Sequence, residues 1–227
     1  MSDERSRPPT HSLRAAEQAY LRALLAGDRQ QAQRIVFEAL EQDGASLYDI
    51  YLGVFQPSLY EIGRLWETGR VSIAQEHLAT AITQSAQAAL YSRVMLPSKL
   101  DRHAVVACLT GNYHDIGPRM LADFMQLAGY NARFLGANTP LDSLLGMIQD
   151  LRPDVIGLPA TTPDQVESVR RAIEQIRADF HSYRPTVMVG GLAFNLIDGL
   201  WKSVKADVWG PDARRALDHL LGTTAWR

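Results

Sequence analysis

The chain has 227 residues with a formal net charge of −2, 46% hydrophobic and 21% charged residues, and a single cysteine. A packed core is therefore affordable, wholesale disorder is excluded, and nothing in the charge favours a nucleic acid or an anionic membrane as primary partner. No apolar run reaches the ~18 residues of a membrane span, and one cysteine, Cys108, excludes an intrachain disulfide. The polar N-terminus MSDERSRPPTHS lacks the apolar core of a signal peptide, so a cytoplasmic protein is expected.

Residues 11–97 carry helical periodicity throughout. Leu13, Ala16, Tyr20, Leu21, Leu24 and Leu25 form one stripe, ended by Gly27. A second helix, from Arg29 to about Gln42, aligns Ala32, Ile35, Val36, Ala39 and Leu40 and stops at Asp43-Gly44. Ser46 is placed to cap a third helix, which Pro57 interrupts or restarts. Ser72 caps a long fourth helix that runs to about Val94 and is closed by Pro97. Four helices with short turns predict a small bundle.

The pattern changes near Ser98–Arg102. Over residues 103–227, short apolar runs alternate with amphipathic helices: AVVACLT then 117–129, ARFLGA then 140–151, DVIGLP then 163–179, TVMVGG then 192–204, and ADVWG then 211–221. Five such units predict an α/β domain with a doubly wound, five-stranded parallel (Rossmann-like) sheet. Ligands of such sheets bind beyond the carboxyl ends of the strands. Those ends are Thr110–Gly117, Ala137–Pro140, Pro159–Pro163, Gly190–Asn195 and Gly210–Asp212. Neither Gly-x4-Gly-Lys nor Gly-x-Gly-x-x-Gly follows a strand, which disfavours a nucleotide enzyme. Trp201, Trp209 and Trp226 read as packing residues, and His11, His103, His181 and His219 are assigned no role.

The first strand exits into Gly111-Asn112-Tyr113-His114-Asp115-Ile116-Gly117. An imidazole there faces the ligand crevice and suits a borderline metal such as cobalt. Gly117 leaves room where a side chain would obstruct a bulky ligand. This segment resembles the Asp-x-His-x-x-Gly motif of cobalamin-binding domains. Asp154–Leu158 with Thr162-Pro163, Val187–Gly191, and Ala206–Ala213 resemble that family's later strands, in the same order. The resemblance implies a base-off cofactor with His114 as lower axial ligand and a nucleotide tail buried in the sheet. Gly190, Gly191 and Gly210 would let the backbone approach the tail, and Thr161 or Thr162 would supply a hydroxyl to it. Two departures stand out. Asn112 replaces the motif aspartate, so its amide oxygen could accept the imidazole N–H without bringing charge. The family's Ser-x-Leu contact is absent.

In the helical half, Trp66 is followed after nine residues by Glu76-His77. This spacing resembles the cap of the CarH/LitR light-responsive regulators. The resemblance implies that Trp66 covers the upper axial group, and that Glu76 and His77 line an adenosyl pocket, the carboxylate accepting from ribose hydroxyls. Glu67 stands where light-adduct members carry a second cobalt-binding histidine.

The function expected is a sensor that responds to light through adenosylcobalamin and acts on a regulatory partner protein, with homo-oligomers possible. Only about ten residues precede the first helix, so an N-terminal DNA-reading domain is not expected. The plan is similar to AerR-type antirepressors and photocobilins, which leaves room for a second tetrapyrrole, a bilin. The alternative is a corrinoid carrier of a methyltransferase system, with methylcobalamin as cofactor. A mutase subunit is disfavoured for want of a substrate barrel.

Overall fold

The structure, a computed structural model, describes residues 10–94 and 100–222. Pro97 and Trp226 lie outside the described residues, as does the His11 side chain. The chain divides into two compact units, Met1–Arg93 and Val94–Arg227.

The first unit is helical. Helix α1 (Thr10–Ala26) turns at Gly27, in the left-handed region at φ +68°, and α2 (Arg29–Glu41) starts where the Asp28 carboxylate accepts from Gln31 N at 2.9 Å. Ser46 and Asp49 form a reciprocal capping box at the start of α3 (Leu47–Ile50). The chain then widens into a π-helical turn, Tyr51–Phe55, and resumes as α4 (Gln56–Glu67). Pro57 gives the cause. It has no N–H and its ring would strike the carbonyl one turn back, so the helix loosens before it rather than ending. Ser72 and Gln75 box the start of α5 (Ile73–Ala89). This helix breaks at Leu90, short of the expected Val94, and a single turn, α6 (Tyr91–Val94), follows.

Tyr20, Leu24, Ile35, Val36, Ile50, Tyr51, Phe55, Ile62 and Ile82 fill the bundle core. Leu25, expected on the buried stripe of α1, is 40% exposed, and Ala23 takes its place. The Tyr20 ring lies 5.1 Å from that of Phe55, and its hydroxyl donates to Thr83 Oγ1 at 3.1 Å. Thr83 in turn donates to Ala79 O at 3.0 Å, so both buried hydroxyls are satisfied.

The second unit is the predicted parallel sheet, in the order β2-β1-β3-β4-β5. Its strands are β1 (His103–Val106), β2 (Asn131–Phe134), β3 (Val155–Pro159), β4 (Thr186–Gly190) and β5 (Val208–Trp209). Helices cover both faces. Val105, Ala107, Ile156 and Leu158 pack with α8 (Leu141–Leu151) and α9 (Pro163–Asp179) in one core. On the other face lie α7 (Ile116–Leu127) and α12 (Ala213–Leu220), where a Cβ built on Gly157 would meet Val106 and Leu121. The helix expected over 192–204 is two short pieces, α10 (Leu192–Leu196) and α11 (Leu200–Ser203), separated by Gly199 at φ +72°. Among the described residues no helix is long and apolar enough to cross a membrane.

The order places β1 beside β3, with the chain leaving β1 for one face and β3 for the other. This pair is the switch point of the sheet, the place where such sheets bind ligands.

Candidate functional site

Residues 107–115 connect β1 to α7 and carry His114 at this switch point. Ile116 is buried and anchors the first turn of α7, and Pro118 suits that turn because it has no N–H to satisfy. The His114 side chain is exposed, and among the described residues it makes no hydrogen bond or ion pair. A Cβ built on Gly117 meets nothing within 4 Å.

The backbone of this loop is held on several sides. Asn112 is 1% exposed, and its main-chain N–H donates to Leu109 O at 2.9 Å. Its carbonyl accepts from Asn138 N at 3.0 Å. Its amide nitrogen donates to Pro159 O at 3.0 Å, and its amide oxygen accepts from the main-chain N–H of His114 at 3.0 Å. That last bond differs from the expectation that the oxygen would face the imidazole. It closes a turn two residues long within the loop, a local bond that asparagine forms readily.

Two further amides were not singled out from sequence. Asn138, in the loop after β2 and in the left-handed region at φ +55°, accepts from Gly111 N at 2.9 Å. Gln165, 7% exposed in the first turn of α9, accepts from Thr161 N at 2.8 Å and Thr162 N at 3.3 Å, and donates to Gly111 O at 3.3 Å. The spacing Thr162-x-x-Gln165 is a capping-box signal and marks Gln165 as a helix-start residue. Nothing local reports its reach to a loop 54 positions away.

Cys108 lies buried beneath the loop with its thiol 3.8 Å from His114 O. Burial pushes this thiol up to about 12, and the charge of Asp115 adds to the effect. It is an inert packing group.

The glycines at the ends of β4 and β5 answer to the fold itself. Gly191 has φ +94°, and a Cβ there would stand 2.4 Å from Ala160 O. One on Gly210 would stand 2.2 Å from Ala216 N. Gly190 is less constrained, with Gly210 O at 3.7 Å from its built Cβ.

In the helical unit, Trp66 lies at the end of α4 and is 47% exposed. Glu76 and His77 occupy the first turn and a half of α5. His77 Nδ1 lies 2.7 Å from Glu76 Oε2, and Thr80 Oγ1 donates to Glu76 Oε1 at 2.9 Å, so both carboxylate oxygens are fixed.

These features fit a corrin better than a bare ion. Among the described residues no group of three His, Cys, Asp or Glu side chains could hold a metal unaided. A lone free imidazole beside open space suits a metal whose other positions a macrocycle already fills. A shallow groove of about 600 Å³ along α8 and the end of α9, lined by Leu145, Gln149, Asp179 and Phe180, offers no imidazole.

The class defined by this fold and loop is a helical bundle followed by a corrinoid-binding parallel sheet. Comparison with known proteins makes it specific: residues 16–91 and residues 102–218 each match a model described as a B12 binding domain. The chain belongs to the B12-binding domain family and binds cobalamin. It is 28% identical over 220 residues to the HTH-type transcriptional repressor CarH of Myxococcus xanthus, covering 96% of this chain and 72% of that protein. It is 23% identical over 133 residues to dimethylamine corrinoid protein 2 of Methanosarcina acetivorans, covering 58% of this chain and 62% of that one. The solved monomethylamine corrinoid protein of Methanosarcina barkeri shares the fold, with a TM-score of 0.81 over 92% of this chain and 99% of that one at 16% identity.

Proposed function

We propose that this cobalamin-binding protein is a light-responsive sensor that takes adenosylcobalamin and signals to a partner protein. The observation that carries the reading is the pair of exposed Trp66 and prepositioned Glu76 in the helical unit. A carboxylate with both oxygens fixed by His77 and Thr80 is ready to accept from ribose hydroxyls, a contact a methyl ligand cannot offer. The similarity to CarH over 96% of this chain supports the same reading.

In this reading His114 is the lower axial ligand. Gly117 and Gly190 leave room for the tail, and the Thr161 or Thr162 hydroxyl meets it. Bound adenosylcobalamin would supply a light-labile cobalt–carbon bond. Trp66 and Glu76 would hold the adenosyl group, and those contacts would exist only while that group is present. Their loss biases the helical unit between two states, which a partner protein or a second copy reads. In this reading the protein works in the cytoplasm.

A second reading, a methyl carrier serving methyltransferases, is favoured by the likeness to the dimethylamine corrinoid protein. One experiment separates the two. Protein loaded with adenosylcobalamin in the dark is illuminated with green light, and the visible spectrum and oligomeric state are followed. A sensor changes its oligomeric state together with its spectrum, whereas a carrier changes the spectrum alone, and Trp66→Ala or Glu76→Ala lowers a sensor's preference for adenosyl over methyl. An unchanged oligomeric state, with methylcobalamin bound more tightly, refutes the sensor. His114→Ala shifts the bound spectrum away from the histidine-ligated form; an unshifted spectrum removes the axial assignment.

A further inference from the structure

The loop that carries His114 is joined to the loop after β3 by two buried amides that cross the switch point. Asn112 donates to Pro159 O and accepts from His114 N. Gln165 donates to Gly111 O and accepts from Thr161 N and Thr162 N. Each side chain therefore spends its donor on the neighbouring loop and its acceptor on a main-chain N–H nearby. Neither reaches the imidazole. A carboxylate at either position would keep the acceptor and lose the donor, setting an oxygen against the Pro159 or Gly111 carbonyl. This accounts for an asparagine where the motif carries aspartate: here the residue must give a hydrogen as well as take one.

We propose that Asn112 and Gln165 are positioning residues that act together as a neutral clasp, presetting the backbone that leads into His114 for cobalt coordination while leaving the ring free to turn onto the metal. The proposal rests on the reading of His114 as axial ligand. Presetting the loop spares cofactor binding the cost of ordering it, about 5–30-fold in affinity for each backbone residue held. Because the clasp acts through the main chain, it governs where the imidazole stands rather than its basicity.

The test uses hydroxocobalamin and the full-length chain carrying Asn112→Asp or Gln165→Glu, each alone and each combined with His114→Ala. Dissociation constants and the bound visible spectrum are measured together. With His114 present, each substitution weakens binding about 5–30-fold, and the spectrum at saturation shows a mixture of histidine-ligated and water-ligated cobalt. In the His114→Ala background the same substitutions change affinity less than about twofold, because the group they position is gone. Equal losses with and without His114 overturn the clasp and leave two ordinary structural residues, while the axial assignment stands. If His114→Ala alone leaves spectrum and affinity unchanged, the axial reading fails, and the clasp with it. Gln165→Glu keeps both main-chain acceptor bonds, so it carries the test even where Asn112→Asp does not fold.

Discussion

The glycines at the edge of the sheet make opposite predictions, and one experiment reads them all. Gly117 stands in the first turn of α7 with nothing within 4 Å of a built Cβ. Gly117→Ala should stabilise the apoprotein by about 0.5–1 kcal/mol, because alanine gives up less conformational freedom and favours the helix. For a chain of this size that raises the midpoint by about 2–4 °C per kcal/mol. Gly191→Ala meets two penalties. Its φ of +94° forces the side chain into left-handed backbone, and its Cβ would lie 2.4 Å from Ala160 O. The left-handed penalty of about 1–2 kcal/mol and an overpacking cost of about 1–3 kcal/mol give a loss of about 2–5 kcal/mol. Gly210→Ala, with a contact of 2.2 Å to Ala216 N, falls on the same side. Urea unfolding of the apoproteins measures these changes, and titration with cobalamin measures the second quantity. Gly117→Ala should bind about tenfold or more weakly although it is the more stable protein, since a methyl then occupies the space left for the ligand. Wild-type affinity in Gly117→Ala would refute the assignment of that space to the cofactor. A destabilised Gly117→Ala apoprotein would refute the open geometry itself.

The remaining predictions concern the helical unit. Thr83→Ala strands the buried Tyr20 hydroxyl and should cost about 1–3 kcal/mol, whereas Tyr20→Phe in the same background recovers part of it, because a phenyl ring needs no partner; chemical unfolding of the four proteins in the cycle measures this. Burial holds the Tyr20 hydroxyl neutral well above its ordinary value of 10.0. The unfolded chain therefore loses this proton first as pH rises, so the stability it supports is full below pH 10 and declines above it. The slope approaches about 1.4 kcal/mol per pH unit for this group. Unfolding midpoints from pH 8 to about 11 should show that decline in the wild type and a shallower one in Tyr20→Phe.

Much of this molecule was legible in its sequence, for local reasons. Val105, Ile156 and Val187 sit in unbroken apolar runs, which only strands covered on both faces require. Ser46 and Ser72 sit where a helix needs an oxygen. His114 and Gly117 stand out in the sequence because the motif that they resemble is contiguous. What escaped was set by distance in sequence. Asn112 bonds a carbonyl 47 positions away and Gln165 one 54 positions away, so each amide reads locally as a loop residue or a helix cap. The π-helical turn before Pro57 shows a bundle absorbing a proline that periodicity takes as a stop or restart. The break at Gly199 shows the converse, a left-handed residue dividing what apolar spacing joins. Gly191 and Gly210 are the instructive pair: read from sequence as room for a ligand, they are also demanded by backbone contacts within the chain.

Both margins of the sheet are blunt. At one flank β5 has two residues and pairs through Met188–Val208 and Val189–Trp209 alone; at the other, β2 has four, with exposed Arg133 among them. Neither flank offers a long apolar ribbon onto which a neighbouring molecule could add a strand, and short, charged edges are the usual safeguard against such zippering. Any self-association of this protein would therefore have to be built from helix and loop surfaces rather than by adding strands to the sheet.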